Sequence, residues 1–476
     1  MPYDDVREFI ARLEKEGEAV RIEEEVDWNL EAGAMLRRSA EAGLPSPFFQ
    51  KIKDYPQGYR LFGNSMSKFR RMAIALEMDA DTHPREIVEE YIRRKQGLIK
   101  PVIVHKGPCK ENIYIGDKVD LLKFPVPMIH DGDGGRYIGT WHLTISKDLD
   151  SDWTNWGMYR HMLHNKNTVG ILMAHPSKHL AAMYAKREKM TDKPMPVAIA
   201  IGVEPVSTLC ATTPSPFGVS EVDVAGAIRG KPMELVKCET IDLAVPAHAE
   251  IVIEGEMRPN ERMNEGPFGE YSGYDAGGVE PKPVIHVTAV THRNDPILTM
   301  ACTGIPIEDN CVLSLTRSAS SLEALRERGL PVSRVSFPPE GAYMLAVVAV
   351  RDRYPNIADD IAHVIWASFG GLTTPDIIIV DDDVDPFNLG EVFHALVTKC
   401  HPYKGIVRFE RTSAIAITPW ASREEHKYRI GARVYFDCTW PHDWAPSDVP
   451  RRTSFTKAYP PEVQKEALAK WRKYGY

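Results

Sequence analysis

The chain of 476 residues lacks the features that define several large classes of protein. Its formal net charge of -8 at pH 7 gives no excess of basic side chains, which argues against a nucleic-acid partner. No apolar run approaches the roughly 20 residues needed to cross a membrane. The first residues also lack the basic and apolar regions of a signal peptide. We therefore expect a cytoplasmic protein without a membrane segment.

Common metal and nucleotide motifs are also missing. The seven cysteines form no CxxC pair, which argues against a zinc site and a disulfide framework. No GxGxxG follows a predicted strand, and Walker, GxSxG and HExxH sequences are absent. A Rossmann site, a phosphate-binding P-loop, a hydrolase nucleophile elbow and a zincin helix are therefore not expected.

The order of predicted elements divides the chain into three parts. Residues 1–110 read as a helix-rich α/β domain, and residues 316–476 as an α/β domain of alternating helices and strands. Residues 111–315 carry short strands punctuated by glycine and proline, typical of a β-barrel or sandwich. The predicted strands of this middle part are Trp141–Ser146, Trp156–Met162, Thr168–Met173, Val197–Val203, Ala249–Gly255, Val284–Val290 and Ile297–Ala301. The expected fold class is a multidomain α+β or α/β protein.

The last segment, from Pro461 to Tyr474, has the pattern of an amphipathic helix. Val463, Leu468 and Trp471 fall on one side of it. Such a helix docks either on another subunit or on its own domain, and the pattern does not distinguish the two.

One glycine-rich stretch, residues 264–274, carries two carboxylates, Glu265 and Glu270, among apolar and aromatic neighbours. Gly266, Pro267 and Gly269 exclude a regular helix. Desolvation by the apolar neighbours would raise the pKa of such a carboxyl group, which suits proton transfer near neutral pH. The alternative is a tight turn whose two glutamates are solvated.

Four further polar residues stand at unusual positions in the middle part. Asn155 and Arg160 belong to an aromatic strand, His179 to the first turn of one helix, and Glu221 to the first turn of another. The second helix begins at Ser220 with the form of a capping box. An amide oxygen, an imidazole and a carboxylate suit a hard divalent ion such as Mn²⁺ or Mg²⁺. Each of these residues also has an ordinary structural reading.

Asn155 and Arg160 are separated by an odd number of residues. In a regular strand they would point to opposite faces. If both serve one site, we expect either a bulge between them or a strand that begins after Asn155.

These residues resemble the UbiD family of decarboxylases, which use prenylated FMN. The resemblance spans nearly the whole chain and is strongest from about residue 150 to 275. The matching stretches are WTNWGMYR (153–160), SKH (177–179), GVSE (218–221) and EGPFGE (265–270). It implies a split β-barrel middle domain that holds the flavin and a metal, and a C-terminal domain that joins subunits into a homodimer or homohexamer.

The resemblance also implies roles for single residues. Asn155, His179 and Glu221 would bind Mn²⁺ or Mg²⁺, with K⁺ nearby, and the divalent ion would hold the cofactor phosphate. Arg160, Glu265 and Glu270 would form the catalytic network, with Glu270 as the proton donor. The remaining implied contacts to the cofactor come from Arg160, His179, Thr212, Thr213 and Lys399.

The implied reaction is reversible, non-oxidative decarboxylation of an aromatic acid, with a flavin prenyltransferase supplying the cofactor. We favour a hydroxybenzoate-type substrate such as protocatechuate, 4-hydroxybenzoate or vanillate, with a pyrrole, furan, indole or phenazine acid as the alternative. Ile305 and Ile307 are expected to form apolar walls of the pocket. Glu308 or Asp309 is a candidate to bind a ring hydroxyl, although a solvated turn is the favoured interpretation of these two residues. A metal-dependent lyase without flavin and a non-catalytic assembly subunit are the rival hypotheses.

Overall fold

A computed structural model describes residues 2–173, 176, 178–276, 278–413 and 418–476. His175, which the sequence places just before a helix, lies outside the described residues. Across the described ranges, no helix is both long and apolar enough to cross a membrane.

The N-terminal part packs four helices around a small sheet. Asp5 begins the first helix by accepting the Glu8 N–H, and the helix buries Phe9, Ile10 and Leu13 on one face. The elements are α1 (Val6–Lys15), β1 (Ala19–Val26), α2 (Glu31–Glu41), β2 (Ser46–Ile52), β3 (Arg60–Gly63), α3 (Phe69–Ala75) and α4 (Pro84–Arg94).

The middle part is built on a ten-stranded sheet that curls into a half-barrel. Its elements are β4 (Val102–Ile103), β5 (Asn112–Ile115), β6 (Tyr137–Gly139), β7 (His142–Lys147), β8 (Thr154–Gly157), β9 (His161–Asn165), β10 (Thr168–Gly170), α5 (His179–Met190), β11 (Met195–Ile201), α6 (Pro205–Thr212), α7 (Glu221–Arg229), β12 (Glu234–Lys237), β13 (Ala244–Pro246), β14 (Ile251–Met257), β15 (Arg262–Glu265), β16 (Phe268–Gly269), β17 (Asp275–Ala276), β18 (Glu280–His292) and β19 (Ile297–Met300).

The order of strands in the large sheet is β6-β9-β10-β18-β14-β11-β7-β8, with β5 and β15 also paired to β18. Strand β11 shows why both faces are covered. Val197, Ile199 and Ile201 pack into the core inside the half-barrel, whereas Ala198 and Ala200 face the core on the other side. The large residues therefore fill the curved interior, and the small ones let the neighbouring helices approach closely.

The structure corrects two strand predictions for the middle part, one in its extent and one in the sheet that it joins. The predicted strand Trp156–Met162 is two strands, β8 and β9, because the chain leaves the ladder at residues 158–160. The Tyr159 ring then lies against Gly157, where a Cβ would meet a ring carbon at 2.6 Å. The predicted barrel strand Ile297–Ala301 is β19, which pairs in parallel with β3 and so belongs to the N-terminal sheet.

The break between β8 and β9 also decides the relation of Asn155 to Arg160. No regular strand runs through both residues, as the odd spacing predicts. The two specific geometries predicted are both wrong, because Asn155 lies inside β8 and a break in the strand, which includes Arg160, takes the place of a bulge.

The C-terminal part is an α/β domain, as predicted. Its sheet has the order β20-β21-β22-β24-β23. The elements are α8 (Val312–Glu327), β20 (Val332–Ser336), β21 (Leu345–Val350), α9 (Ile357–Ala367), β22 (Asp376–Asp381), α10 (Leu389–Thr398), β23 (Ile406–Ser413), α11 (Arg423–Tyr428), β24 (Ile430–Cys438), α12 (Phe455–Ala458) and α13 (Pro461–Lys470).

The terminal helix α13 is exposed on all sides. None of its residues is buried, and Leu468 and the following Trp471 are 58% and 48% exposed. The apolar side predicted from the sequence is therefore present, and no described part of the chain buries it.

Candidate active site

A cleft with a cavity volume of about 240 Å³ lies between the middle and C-terminal parts. One wall is the chain from Asn155 to Arg160, and the facing wall includes Arg317 of α8 and Phe369. The first turn of α5 and the end of α6 complete it. The cleft is thus assembled from several elements that are far apart in sequence.

Arg160 joins the two glutamates of the glycine-rich stretch in this cleft. Its Nε and one terminal nitrogen donate to the two oxygens of Glu265, both at 2.8 Å. The other terminal nitrogen donates to Glu270 Oε1 at 2.7 Å. Three of the five guanidinium N–H groups are therefore used, and two remain for a ligand. The side chain of Arg160 is only 8% exposed, and that of Glu265 only 1%.

The electrostatics of the two glutamates differ. Burial raises the pKa of Glu270 above its ordinary value, and the Arg160 cation offsets only part of the effect. The Glu265 and Glu308 carboxylates raise it further. For Arg160, burial alone would lower the pKa, but the hydrogen bond to Glu265 and the charge of Glu270 raise it above its ordinary value. A permanent cation thus lies beside a carboxyl group suited to carry a proton.

Local backbone structure places these three groups. Strand β15 ends at Glu265, and Gly266 then adopts a φ of 85°, a region that favours glycine. The chain returns as β16 and delivers Glu270 directly after it. Because Arg160 lies in the break between β8 and β9, its side chain is not held to either face of the ladder and reaches both carboxylates.

Asn155, His179 and Glu221 form a second group of polar residues in the cleft. His179 Nδ1 lies 3.0 Å from Asn155 Oδ1 and 3.6 Å from Glu221 Oε1. His179 Nε2 and Asn155 Nδ2 are buried and have no hydrogen-bond partner among the described residues. If Nδ1 carries the proton and donates to Asn155, Nε2 presents a lone pair that suits a metal ion.

The edge strand β8 keeps this group in place. Its outward N–H groups would be unpaired, but Glu221 Oε2 accepts the N–H of Trp156 at 2.8 Å. Ser220 Oγ accepts the N–H of Thr154 at 3.2 Å. The predicted capping box at Ser220 is therefore wrong, because that hydroxyl serves the neighbouring strand and makes no cap bond to α7.

Within the described part of the chain, no group of three or more His, Cys, Asp or Glu side chains is placed to hold a metal. His179 and Glu221 are two such side chains, and Asn155 adds one amide. The residues therefore fit an ion whose coordination is completed by other oxygens, such as those of a phosphate or water.

The three residues expected at the cofactor phosphate have different positions. Thr212 and Thr213 line the cleft at the end of α6, and both hydroxyls donate to the carbonyl of Leu209 at 2.9 Å. Lys399 does not line the cleft. Its ammonium pairs with Asp381 at 2.8 Å and Asp383 at 3.1 Å in the C-terminal domain, so the charge is already compensated there.

Two cations that the sequence reasoning missed line the cleft instead. Lys178 and Arg317 face it, and Lys178 also lies over the Phe369 ring. The Lys178 side chain is exposed to the open cleft. Desolvation of its ammonium by the surrounding protein atoms, followed by the positive charge of Arg317, lowers the pKa of Lys178 to about 8. Lys178 stands next to His179 in the SKH stretch, which is the signal that could have identified it. Arg317 lies in the second turn of α8, and no local motif marks it.

Three residues expected to form the substrate pocket do not line the cleft. Ile305 is 63% exposed, and Ile307 is buried in the core. Glu308 is fully buried, and its Oε1 accepts the side-chain amide of Asn310 at 2.6 Å. Asn310 does line the cleft, so Glu308 contributes by orienting a neighbour.

The middle, C-terminal and N-terminal parts each match a known domain model. Residues 100–306 match the Rift-related domain of 3-octaprenyl-4-hydroxybenzoate carboxy-lyase (UbiD), residues 311–438 its C-terminal domain and residues 10–91 its N-terminal domain. The chain is 33% identical to a pyrrole-2-carboxylic acid decarboxylase of Pseudomonas aeruginosa, over 99% of this chain and 98% of the relative. It is 30% identical to a ferulic acid decarboxylase of Saccharomyces cerevisiae, over 100% and 99%.

Solved structures agree with the sequence relatives. The closed form of a vanillic acid decarboxylase of Sedimentibacter hydroxybenzoicus superposes with a TM-score of 0.88 at 30% identity, covering 100% of this chain and 99% of that one. An evolved dimeric form of the UbiD-class enzyme HmfF of Pelotomaculum thermopropionicum, in complex with prenylated FMN, gives a TM-score of 0.83 at 29% identity, covering 98% and 100%. With all three domains matched and relatives aligned from end to end, this chain belongs to the UbiD family of carboxy-lyases.

Proposed function

We propose that this protein catalyses the reversible decarboxylation of an aromatic acid whose ring carries a hydrogen-bond donor, with prenylated FMN as the cofactor. The observation that carries the proposal is the buried pairing of Arg160 with Glu265 and Glu270 at the wall of the cleft. A carboxyl group with a raised pKa beside a cation with free N–H groups provides a proton donor and a carboxylate anchor in one place.

The cleft residues fit a phosphate-bearing flavin. Lys178 and Arg317 are two neighbouring cations without a carboxylate partner among the described residues, and they suit a phosphate. Prenylated flavin, when bound, supplies the electron sink for the charge left on a ring carbon by loss of CO₂, which no side chain can supply. A complex with prenylated FMN is known for the related HmfF structure. A flavin prenyltransferase would be the supplier of the cofactor.

A divalent ion, Mn²⁺ or Mg²⁺, would be held by Asn155, His179 and Glu221. The unpartnered, buried His179 Nε2 supports this assignment. The same family resemblance implies K⁺ nearby. Metal analysis of purified protein tests both, and the Glu221→Gln variant should lose the divalent ion because it removes the carboxylate charge. Retention of the ion at the wild-type ratio would contradict the assignment.

The roles of the catalytic groups follow from their contacts. Arg160 would orient the substrate carboxylate with the two N–H groups that its glutamate partners leave free. Glu265 would hold Arg160 in that orientation. Glu270 would give its proton to the ring carbon from which CO₂ leaves, and in the reverse direction it would take that proton.

Asn310 supports the choice of substrate class. Glu308 Oε1 accepts both the backbone N–H and the side-chain NH₂ of Asn310, which turns the amide oxygen away from Glu308. Among the described residues nothing donates to that oxygen. In the cleft it would accept a hydrogen bond from a ring hydroxyl, as in 4-hydroxybenzoate, protocatechuate or vanillate, or from a ring N–H, as in a pyrrole acid.

Pairs of acids with and without a hydrogen-bond donor on the ring test this substrate class. The protein is produced together with a flavin prenyltransferase. CO₂ release should be faster from 4-hydroxybenzoate than from benzoate, or from pyrrole-2-carboxylate than from furan-2-carboxylate. Asn310→Leu should remove the preference because it removes the acceptor. An equal rate for both members of each pair would contradict the role of Asn310. Equal activity in colourless, flavin-free protein would instead favour a metal-dependent lyase, and no activity on any acid would favour a non-catalytic subunit.

The terminal helix supports a homo-oligomer. Leu468 and Trp471 belong to an apolar side that the rest of the described chain leaves open. A second copy of the chain is the proposed partner for that side. The simplest assembly of this kind is a homodimer, and a homohexamer would be three such dimers.

A further inference from the structure

The catalytic loop from Glu265 to Glu270 is held by one preceding segment of the chain, residues 130–137. Gly134 N–H donates to the carbonyl of Pro267 at 2.8 Å, and Asp133 Oδ1 accepts the N–H of Gly269 at 3.0 Å. A Cβ on Gly134 would lie 2.1 Å from the carbonyl oxygen of Gly266, so this close contact requires glycine. The segment therefore fixes the backbone of the loop that carries both glutamates.

Tyr137, at the end of this segment, contacts one of the two glutamates directly. Its side chain is fully buried, and its hydroxyl donates to Glu265 Oε1 at 2.9 Å. Its ring packs on Phe268 with the centroids 4.3 Å apart. Burial, followed by the Glu265 carboxylate, raises the pKa of Tyr137 above its ordinary value, so the hydroxyl keeps its proton and remains a donor.

The two glutamates consequently receive different numbers of donors. Glu265 accepts two N–H groups of Arg160 and the O–H of Tyr137, whereas Glu270 accepts a single N–H of Arg160. Hydrogen bonds to a carboxylate favour its ionised form. A proton shared between the two coupled glutamates is therefore bound by Glu270, which is the glutamate that lines the cleft.

We propose that Tyr137 is a positioning residue that keeps Glu265 ionised and bound to Arg160, and so reserves proton delivery for Glu270. This inference rests on the proposed function for its catalytic consequence, but the contact itself does not require the cofactor. The charged and titratable groups that face Glu265 are Arg160, Tyr137, Glu270, His164 on β9 and Glu280, its partner on β18.

The test compares Tyr137→Phe with a matched control, Tyr435→Phe. Tyr435 is also a buried tyrosine whose hydroxyl donates to a carboxylate, that of Asp359 at 2.8 Å, but it belongs to the C-terminal domain and does not line the cleft. Both variants lose one oxygen atom and one hydrogen bond to a carboxylate. Any difference between them therefore reports on the catalytic network and not on the loss of a buried hydroxyl.

The first measurement uses protein without cofactor. Infrared spectra recorded against pH follow the band of a protonated carboxylic acid that is absent from Glu265→Gln. In Tyr137→Phe the intensity of this band should change at a given pH, because the ionised carboxylate has lost a donor and the shared proton is redistributed between the two glutamates. In Tyr435→Phe it should not change. An unchanged titration in Tyr137→Phe would overturn the proposal.

The second measurement uses cofactor-loaded protein. Tyr137→Phe should lower kcat roughly 10-fold, the loss expected for one hydrogen bond to a charged group, and leave KM for the acid nearly unchanged. In the Glu265→Gln background the same substitution should cause no further loss, because its target is gone. If the two substitutions lower kcat by independent factors that multiply in the double variant, the proposal is overturned. If the loaded wild type releases no CO₂ from any acid while the infrared band still changes in Tyr137→Phe, the proposed function fails and the Tyr137 assignment stands.

Discussion

Arg160 binds its two glutamates in different ways, and this difference gives the candidate site its chemistry. Glu265 accepts two bonds from the guanidinium in a fork, and Glu270 accepts one. The fork fixes the plane of the arginine. The single bond leaves Glu270, whose pKa is raised by burial, free to exchange a proton with a ligand in the cleft.

Removal of the arginine should destabilise the protein strongly. Arg160→Met leaves two buried carboxylates without their cation, and loss of one partner of a buried ion pair costs about 3–5 kcal/mol. The loss should be smaller at pH 5 than at pH 8. The reason is that Glu270, whose folded pKa is raised, becomes neutral as the pH falls.

Urea unfolding at the two pH values measures this effect. Arg326→Met is the matched control, because Arg326 pairs with the exposed Glu89 on the surface, where such a pair contributes at most about 1 kcal/mol. Equal destabilisation by the two substitutions would show that the Arg160 pairs are not effectively buried.

Single residues of the site were partly accessible from the sequence. The family resemblance pointed to Asn155, Arg160, His179, Glu221, Glu265 and Glu270. In the structure five of them line one cleft, and Glu265 lies behind its wall, bound to Arg160. Tyr137 was missed because nothing in the local sequence marks it, and its importance comes from a contact with Glu265 across folded elements. Asn310 lies two residues after Glu308, the residue that the sequence singled out instead. Lys399 was expected at the phosphate, but the aspartates at the end of β22 compensate its charge.

At the scale of elements, residues 130–137 and the catalytic loop are packed backbone to backbone. Gly134→Ala should push the Gly266 carbonyl away, because its Cβ has no room there. We expect a loss of stability of about 1–3 kcal/mol and a marked fall in CO₂ release. Gly135→Ala is the matched control, since its Cβ would meet Met162 at an ordinary 3.5 Å. Thermal unfolding and turnover of the two variants check the prediction, and equal behaviour would contradict it.

His130 links the same segment to Thr303, which lines the cleft. Its Nδ1 lies 3.2 Å from Asp133, and its Nε2 lies 2.8 Å from the carbonyl oxygen of Thr303. Burial would lower the pKa of His130, but hydrogen bonds to Asp133 and Cys302 raise it to about 10. Since the folded pKa exceeds the unfolded value of about 6.5, the stabilisation is full below pH 6.5 and disappears towards pH 10.

Thermal melts of wild type and His130→Gln against pH test this link. The Tm of the wild type should exceed that of the variant by the largest margin near pH 6, and this difference in Tm should approach zero as the pH approaches 10. His248→Gln is a suitable control, because His248 pairs with Glu234 on the surface. A margin that does not change with pH would mean that His130 is neutral in the folded protein.

Helices and strands were predictable from the sequence where one pattern of apolar residues continued without interruption. Helices α1, α4 and α9 follow from their apolar spacing, and β22 follows from its continuous apolar run. The break between β8 and β9 was not predictable, because aromatic residues continue through it and the Tyr159 packing on Gly157 is a tertiary contact. Likewise, β19 resembles a barrel strand in sequence, and only its pairing with β3 shows which sheet it joins.

At the scale of the whole molecule, the terminal helix should join two copies. Removal of residues 461–476 deletes the exposed apolar side that includes Leu468 and Trp471. Light scattering should show a smaller assembly for the truncated protein, whereas Lys465→Ala, on the same helix, should leave the mass unchanged. An unchanged mass after truncation would show that the helix does not join copies of the chain.

The central claim is that the cleft between the middle and C-terminal domains decarboxylates an aromatic acid with Glu270 as its acid. The most direct measurement is CO₂ release from the best acid of the matched panel by cofactor-loaded wild type and loaded Glu270→Gln, with Glu25→Gln on the surface of the N-terminal part as the control. We expect the wild type and the control to turn over equally. Glu270→Gln should lose a factor of about 10²–10⁴, the usual contribution of a general acid, while it retains flavin and folds normally. Turnover by Glu270→Gln at the wild-type rate would contradict the account.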